Sequence, residues 1–99
     1  MWTIELRFLT DNAEHTAARL AARPAHRGAL AALHADGRLH AAGPFADDSG
    51  ALLILDVPDR TALDLVLAAD PYFHLPAVEL TEVREWSPVV GPGHGPRTR

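Results

Sequence analysis

The sequence predicts an α+β domain in which two helices cover one face of a four-stranded sheet. Three observations carry that expectation. Trp2-Thr3-Ile4-Glu5-Leu6-Arg7-Phe8 alternates apolar and polar residues at the period of a half-buried strand. Ala51-Leu52-Leu53-Ile54-Leu55 is apolar at every position and bounded by turn signals, as in a central strand covered on both faces. Two stretches rich in alanine and leucine, with helical spacing, separate the strands.

Each element follows in order. Thr10-Asp11-Asn12 ends the first strand and supplies a helix N-cap. Ala13 to Ala22 reads as a short helix. Pro24 is poorly tolerated deep inside a helix but suits a first turn, so a break is expected near Arg23. A second helical segment then runs from Pro24 to about Ala35, with Leu30 and Leu33 on its apolar stripe and His26 in line with them. Gly37 is the expected left-handed cap. Arg38 to Ala42 is a short strand, and Gly43 to Gly50 is a loop by composition. Pro58-Asp59 opens the next helix, with Asp59 as N-cap and Leu63, Val66 and Leu67 as its core stripe. Asp70 continues that stripe, and Pro71 stops the helix. Val78 to Trp86 is the last strand, and its broken alternation points to a bulge near Thr81-Glu82. Residues 89–99 carry Gly91-Pro92-Gly93-His94-Gly95-Pro96 and read as a flexible tail behind a folded domain of residues 1–88. Strand, helix, strand, strand, helix, strand is the ferredoxin-like order. A central strand apolar on both sides needs a second cover. A twofold copy of the same sheet would supply it, forming a dimeric α+β barrel.

Composition narrows the function. The 99 residues make one domain, with 47 % hydrophobic residues and a net charge of −4. No apolar run approaches the ~20 residues of a membrane span, and no targeting segment is evident, so the cytoplasm is the expected setting. All nine basic residues are arginine, and they read as scattered along the chain, which argues against nucleic acid. The chain has no cysteine, which removes thiol chemistry and cysteine-ligated metal. His34 and His40 match no standard zinc spacing, and no metal or cofactor is expected.

Two titratable residues stand on otherwise apolar stripes. His26 titrates in the neutral range as a residue type and suits a general base. Asp70, read as a last-turn acid, opposes the helix dipole, a cost that pairing with His26 would explain. An aspartate in that position fixes the imidazole tautomer and stabilises the imidazolium. Ser49, with Asp47 and Asp48, either forms a polar rim or, with backbone amides of the Gly43–Gly50 loop, binds a substrate oxygen. Gly43 and Pro44 give tight backbone geometry near the site, and Tyr72 and Phe73 either pack or wall an apolar cavity.

Arg23-Pro24-Ala25-His26, Leu30 to Leu39, Ala42-Gly43-Pro44-Phe45 and Ala69-Asp70-Pro71-Tyr72, in that order, resemble the YciI-like (YCII-related) family from Trp2 to Pro88. The resemblance implies a dimeric α+β barrel and an active site built on a histidine–aspartate pair, here His26 and Asp70. It also points to a branch that dehydrochlorinates a muconolactone-type compound. The expected function is a cofactor-independent small-molecule enzyme for elimination, isomerisation or lactone chemistry. A dimer that only binds a small metabolite, or a structural dimerisation domain, are the alternatives.

Overall fold

The computed structural model describes residues 1–91. The chain forms four strands, β1 (Trp2–Phe8), β2 (Leu39–Pro44), β3 (Gly50–Leu55) and β4 (Val78–Glu85), and two helices, α1 (Ala13–Ala35) and α2 (Arg60–Ala68). A short 3-10 turn, Pro71–His74, joins α2 to β4. The strands form one sheet in the order β2-β3-β1-β4, with every neighbouring pair antiparallel. This is the expected ferredoxin-like α+β arrangement.

The alternation of β1 sorts its side chains as read. Ile4, Leu6 and Phe8 are buried on the helix side, while Glu5 and Arg7 face outward. Ala51, Leu53 and Leu55 of β3 continue the buried face, and Leu63 and Leu67 of α2 pack onto it. Each fully buried side chain of this size contributes about 1.5–3 kcal/mol of transfer free energy. Gly50 lets β3 approach β1, because a Cβ there would collide with the Leu6 carbonyl. The caps also fall where expected. Asn12 accepts from the His15 N–H at 2.8 Å, Asp59 accepts from the Ala62 N–H at 2.8 Å, and Gly37 is left-handed with φ 87°.

Two expectations need correction. No helix break occurs near Arg23, and α1 is one 23-residue helix with Pro24 inside it. The proline forfeits one backbone hydrogen bond and crowds the preceding turn, at a cost of about 3 kcal/mol. Ala22 before it and His26, Leu30 and Leu33 after it pack on the same sheet face, and that shared burial offsets the cost. The region Gly43 to Gly50 is less of a loop than its composition implies, since β2 runs through Pro44. Within one chain β3 is covered on its helix face, and its other face is left partly open. Leu52 and Ile54, paired with Glu5 and Thr3, remain partly exposed. The bulge in β4 is present. Register shifts between Glu5 and Leu6, whose partners are Glu82 and Leu80, so that Thr81 is skipped. The Thr81 hydroxyl donates instead to the Glu5 carbonyl at 3.1 Å. Of the tail expected at residues 89–99, residues 92–99 lie outside the described part of the chain.

Candidate active site

His26 is the one buried residue of α1, at 6 % exposure. The 3-10 turn brings Asp70 to it. Asp70 does not sit in the last turn of α2, as the stripe reading had it, because α2 stops at Ala68 with Ala69 as its cap. Asp70 is instead the N-cap of the 3-10 turn, with Pro71 behind it, and its Oδ1 accepts the Tyr72 N–H at 2.9 Å. The carboxylate thus accepts an amide at the start of the turn, a local partner that the last turn of a helix would not supply.

Asp70 and His26 are in direct contact. The His26 Nδ1 lies 2.7 Å from Oδ2 and 2.9 Å from Oδ1, and Asp70 is 3 % exposed. A carboxylate only accepts hydrogen bonds, so Nδ1–H donates and Nε2 is left as the basic nitrogen of the neutral ring. Tyr72 fixes the ring from the side. Its own ring stacks on the imidazole with centroids 3.7 Å apart and planes 3° from parallel. Phe8 meets Tyr72 edge-on at 6.0 Å, and the Arg19 guanidinium lies over Phe8, 4.3 Å from its centroid. Three consecutive residues, Asp70-Pro71-Tyr72, therefore supply both the hydrogen-bonding partner and the stacking surface for His26.

The imidazole opens on a cavity of about 640 Å³ between α1 and the β2–β3 side of the sheet. Gly43, Pro44, Tyr72, Leu30, Ala51 and Leu53 help line it, as do His34 and His40. That volume suits a small molecule. Ser49 and Phe73, two of the expected binding residues, are not in the lining. Ser49 serves its own turn: its N–H donates to Asp47 Oδ1 at 3.0 Å and its carbonyl accepts from Phe8 at 2.9 Å. Its side chain first, and then its N–H, hold the Asp47 carboxyl below the usual carboxylate range. The amides of Phe45, Asp48 and Ser49 all donate inside the β2–β3 connection, so these three are not available to a substrate oxygen.

Sequence reasoning missed Arg19, Arg23 and Arg27, which line the same cavity. They read as scattered because the expected helix break fell among them. On one continuous helix they recur every four residues and share a face. Among the described residues, no group of three or more histidine or acidic side chains is placed to hold a metal ion, and no helix is long and apolar enough to cross a membrane.

The fold is similar to that of a 5-chloro-2-hydroxyhydroquinone dehydrochlorinase, TftG, from Burkholderia phenoliruptrix AC1100, solved in complex with 2,5-dihydroxybenzoquinone. The match has a TM-score of 0.64 and 21 % sequence identity, and covers 88 % of this chain and 94 % of that one. No curated protein matches the sequence. The model of the YCII-related domain matches residues 4–87, nearly the whole described chain, and the protein therefore belongs to the YCII-related family.

Proposed function

We propose that this protein is a cofactor-independent small-molecule enzyme in which His26 carries a proton to or from substrate carbon or oxygen. One observation carries the reading: a buried imidazole whose Nδ1 is held by Asp70 at 2.7 Å opens on a cavity of ligand size. Nε2 is the general base and, once protonated, the general acid. Asp70 is the positioning residue, holding the tautomer and stabilising the imidazolium. Elimination, isomerisation and lactone-type reactions need this proton shuttle and a place for developing negative charge. The fold likeness to a dehydrochlorinase favours elimination of a halide or a comparable leaving group within that set. In such a step His26 removes a proton from carbon, the electron pair forms the new double bond, and the leaving group departs with its bonding pair.

The enzyme acts as a homodimer in the cytoplasm in this reading. Support for the dimer comes from the open sheet face, where Leu52 and Ile54 are only partly covered by their own chain.

The test is turnover of chlorinated hydroxyhydroquinones, enol acids and lactones by the wild type, His26→Ala and Asp70→Asn. His26→Ala should lower kcat by about 10²–10⁴-fold. Asp70→Asn should lower it with little change in KM and with an altered pH profile, which a purely structural role would not produce. Equal rates in wild type and His26→Ala would overturn the proposal.

A further inference from the structure

The seven arginines among the described residues divide into two groups. Arg7, Arg38, Arg60 and Arg84 each pair with a carboxylate, from Glu79, Asp36, Asp64 and Glu82 respectively. Arg19, Arg23 and Arg27, the three that line the cavity, have no carboxylate partner among the described residues. Acids are not scarce, since the chain holds thirteen against nine arginines. Asp48 even lines the same cavity without pairing to any of the three. The Nε of Arg19 is moreover fully buried with no hydrogen-bond partner.

We infer that the cavity takes an anionic substrate, a small carboxylate or acidic enol whose charged oxygens are gripped by Arg19 and Arg23, with Arg27 at the rim. This rests on the reading of His26 as the proton-transfer base and names the substrate class for that site. Geometry supports the assignment of parts. Arg19 and Arg23 are one helical turn apart, and His26 follows Arg23 by three residues, so all three project from one face. Along the axis Arg23 and His26 are separated by about 4.5 Å, and Arg19 and His26 by about 10.5 Å, at 1.5 Å per residue. Arg19 lies over Phe8, Phe8 meets Tyr72, and Tyr72 stacks on His26, so the cations and the imidazole belong to one connected wall of the cavity. Arginine suits the task because its planar fork meets two oxygens at once and keeps its charge. The stack of Arg19 on Phe8 preorganises that fork. The guanidiniums also supply the stabilisation of developing negative charge that the β2–β3 connection does not offer through the three amides it uses internally. Three cations against one carboxylate make the cavity locally positive in a protein of net charge −4, which draws anions to it.

Isothermal titration of the full chain with two matched probes tests this. One is 2,5-dihydroxybenzoquinone, an acidic enol. The other is 2,5-dimethoxybenzoquinone, a neutral compound of the same ring. Wild type should bind the acid at least roughly tenfold more tightly than the ether, and added salt should weaken only the acid. Arg19→Gln and Arg23→Gln should each weaken the acid roughly tenfold or more, and Arg23→Lys less than Arg23→Gln. The thermal melt of Arg23→Gln should match wild type, since that side chain is only partly buried and pairs with no carboxylate among the described residues. Equal affinity for the two probes, no binding of the acid at millimolar concentration, or arginine variants that bind the acid like wild type would each overturn the inference. His26→Ala separates the two claims. Acid binding that needs the arginines, beside turnover indifferent to His26, would sink the proton-transfer reading and leave the anion site standing. Turnover that needs His26 but ignores both arginines would do the reverse.

Discussion

The cavity at His26 and the groove between α1 and α2 lie against different faces of one helix, and they are chemically unlike. The first is lined by Arg19, Arg23, Arg27 and three histidines. The second, about 450 Å³, is lined by Ala29, Ala32, Leu33, Ala62, Leu65 and Val66, with Arg38 and Asp70 as its charged members. The dyad bridges the two. His26 borders the first cavity and Asp70 the second. An orienting carboxylate on the apolar side is shielded from water and from the substrate's own charge, so its hydrogen bond to Nδ1 is stronger than it would be in solvent. The basic nitrogen is thereby left for the polar side alone. One helix with adjacent residues on different faces is enough to build both environments.

The largest way to break this contrast is to remove the bridge. Asp70→Ala leaves His26 Nδ1–H and the Tyr72 N–H unpaired where both are buried, each at a cost of about 1–3 kcal/mol. Against the ~5–15 kcal/mol typical of a domain, that is a visible loss. Urea melts should show a lower midpoint for Asp70→Ala and a smaller drop for Asp70→Asn, which keeps an acceptor for Tyr72. An unchanged midpoint in Asp70→Ala would mean that the carboxylate does not satisfy these groups.

A smaller effect sharpens the same comparison. Ala31 lines the first cavity and Ala32 the second, and both are exposed enough to be enlarged without disturbing the core. Ala31→Phe should raise KM or the dissociation constant for 2,5-dihydroxybenzoquinone by narrowing the substrate cavity. Ala32→Phe, one residue along, should leave both near wild type. Titration and steady-state assays of the pair check this, and equal effects would contradict the division of roles between the two sides.

Much of the fold was legible because it rests on local grammar. Asn12 and Asp59 as caps, Gly37 as a left-handed stop and the Thr81 bulge all follow from residue type and period. Pro24 was misread because its penalty is local, whereas the packing of α1 on the sheet that outweighs it is tertiary. That one misreading hid the arginine stripe, since a four-residue repeat is visible only on an unbroken helix. Asp70 lies against His26 but belongs to a different element from the one its spacing suggests. An aspartate followed by proline is also the pattern of a cap ahead of a new turn, and the sequence does not say which helix end it serves. The contact between His26 and Asp70 joins residues 44 apart, a separation that periodicity does not span.

The central claim is that Asp70 holds one nitrogen of His26 so that the other can act in the cavity. Nitrogen-15 NMR of the histidine side chains at neutral pH tests it most directly. The account predicts that His26 carries its proton on Nδ1, that this assignment is lost in Asp70→Ala, and that the Nε2 signal moves when 2,5-dihydroxybenzoquinone is added. A proton on Nε2 of the neutral ring, with no response to the ligand, would contradict it.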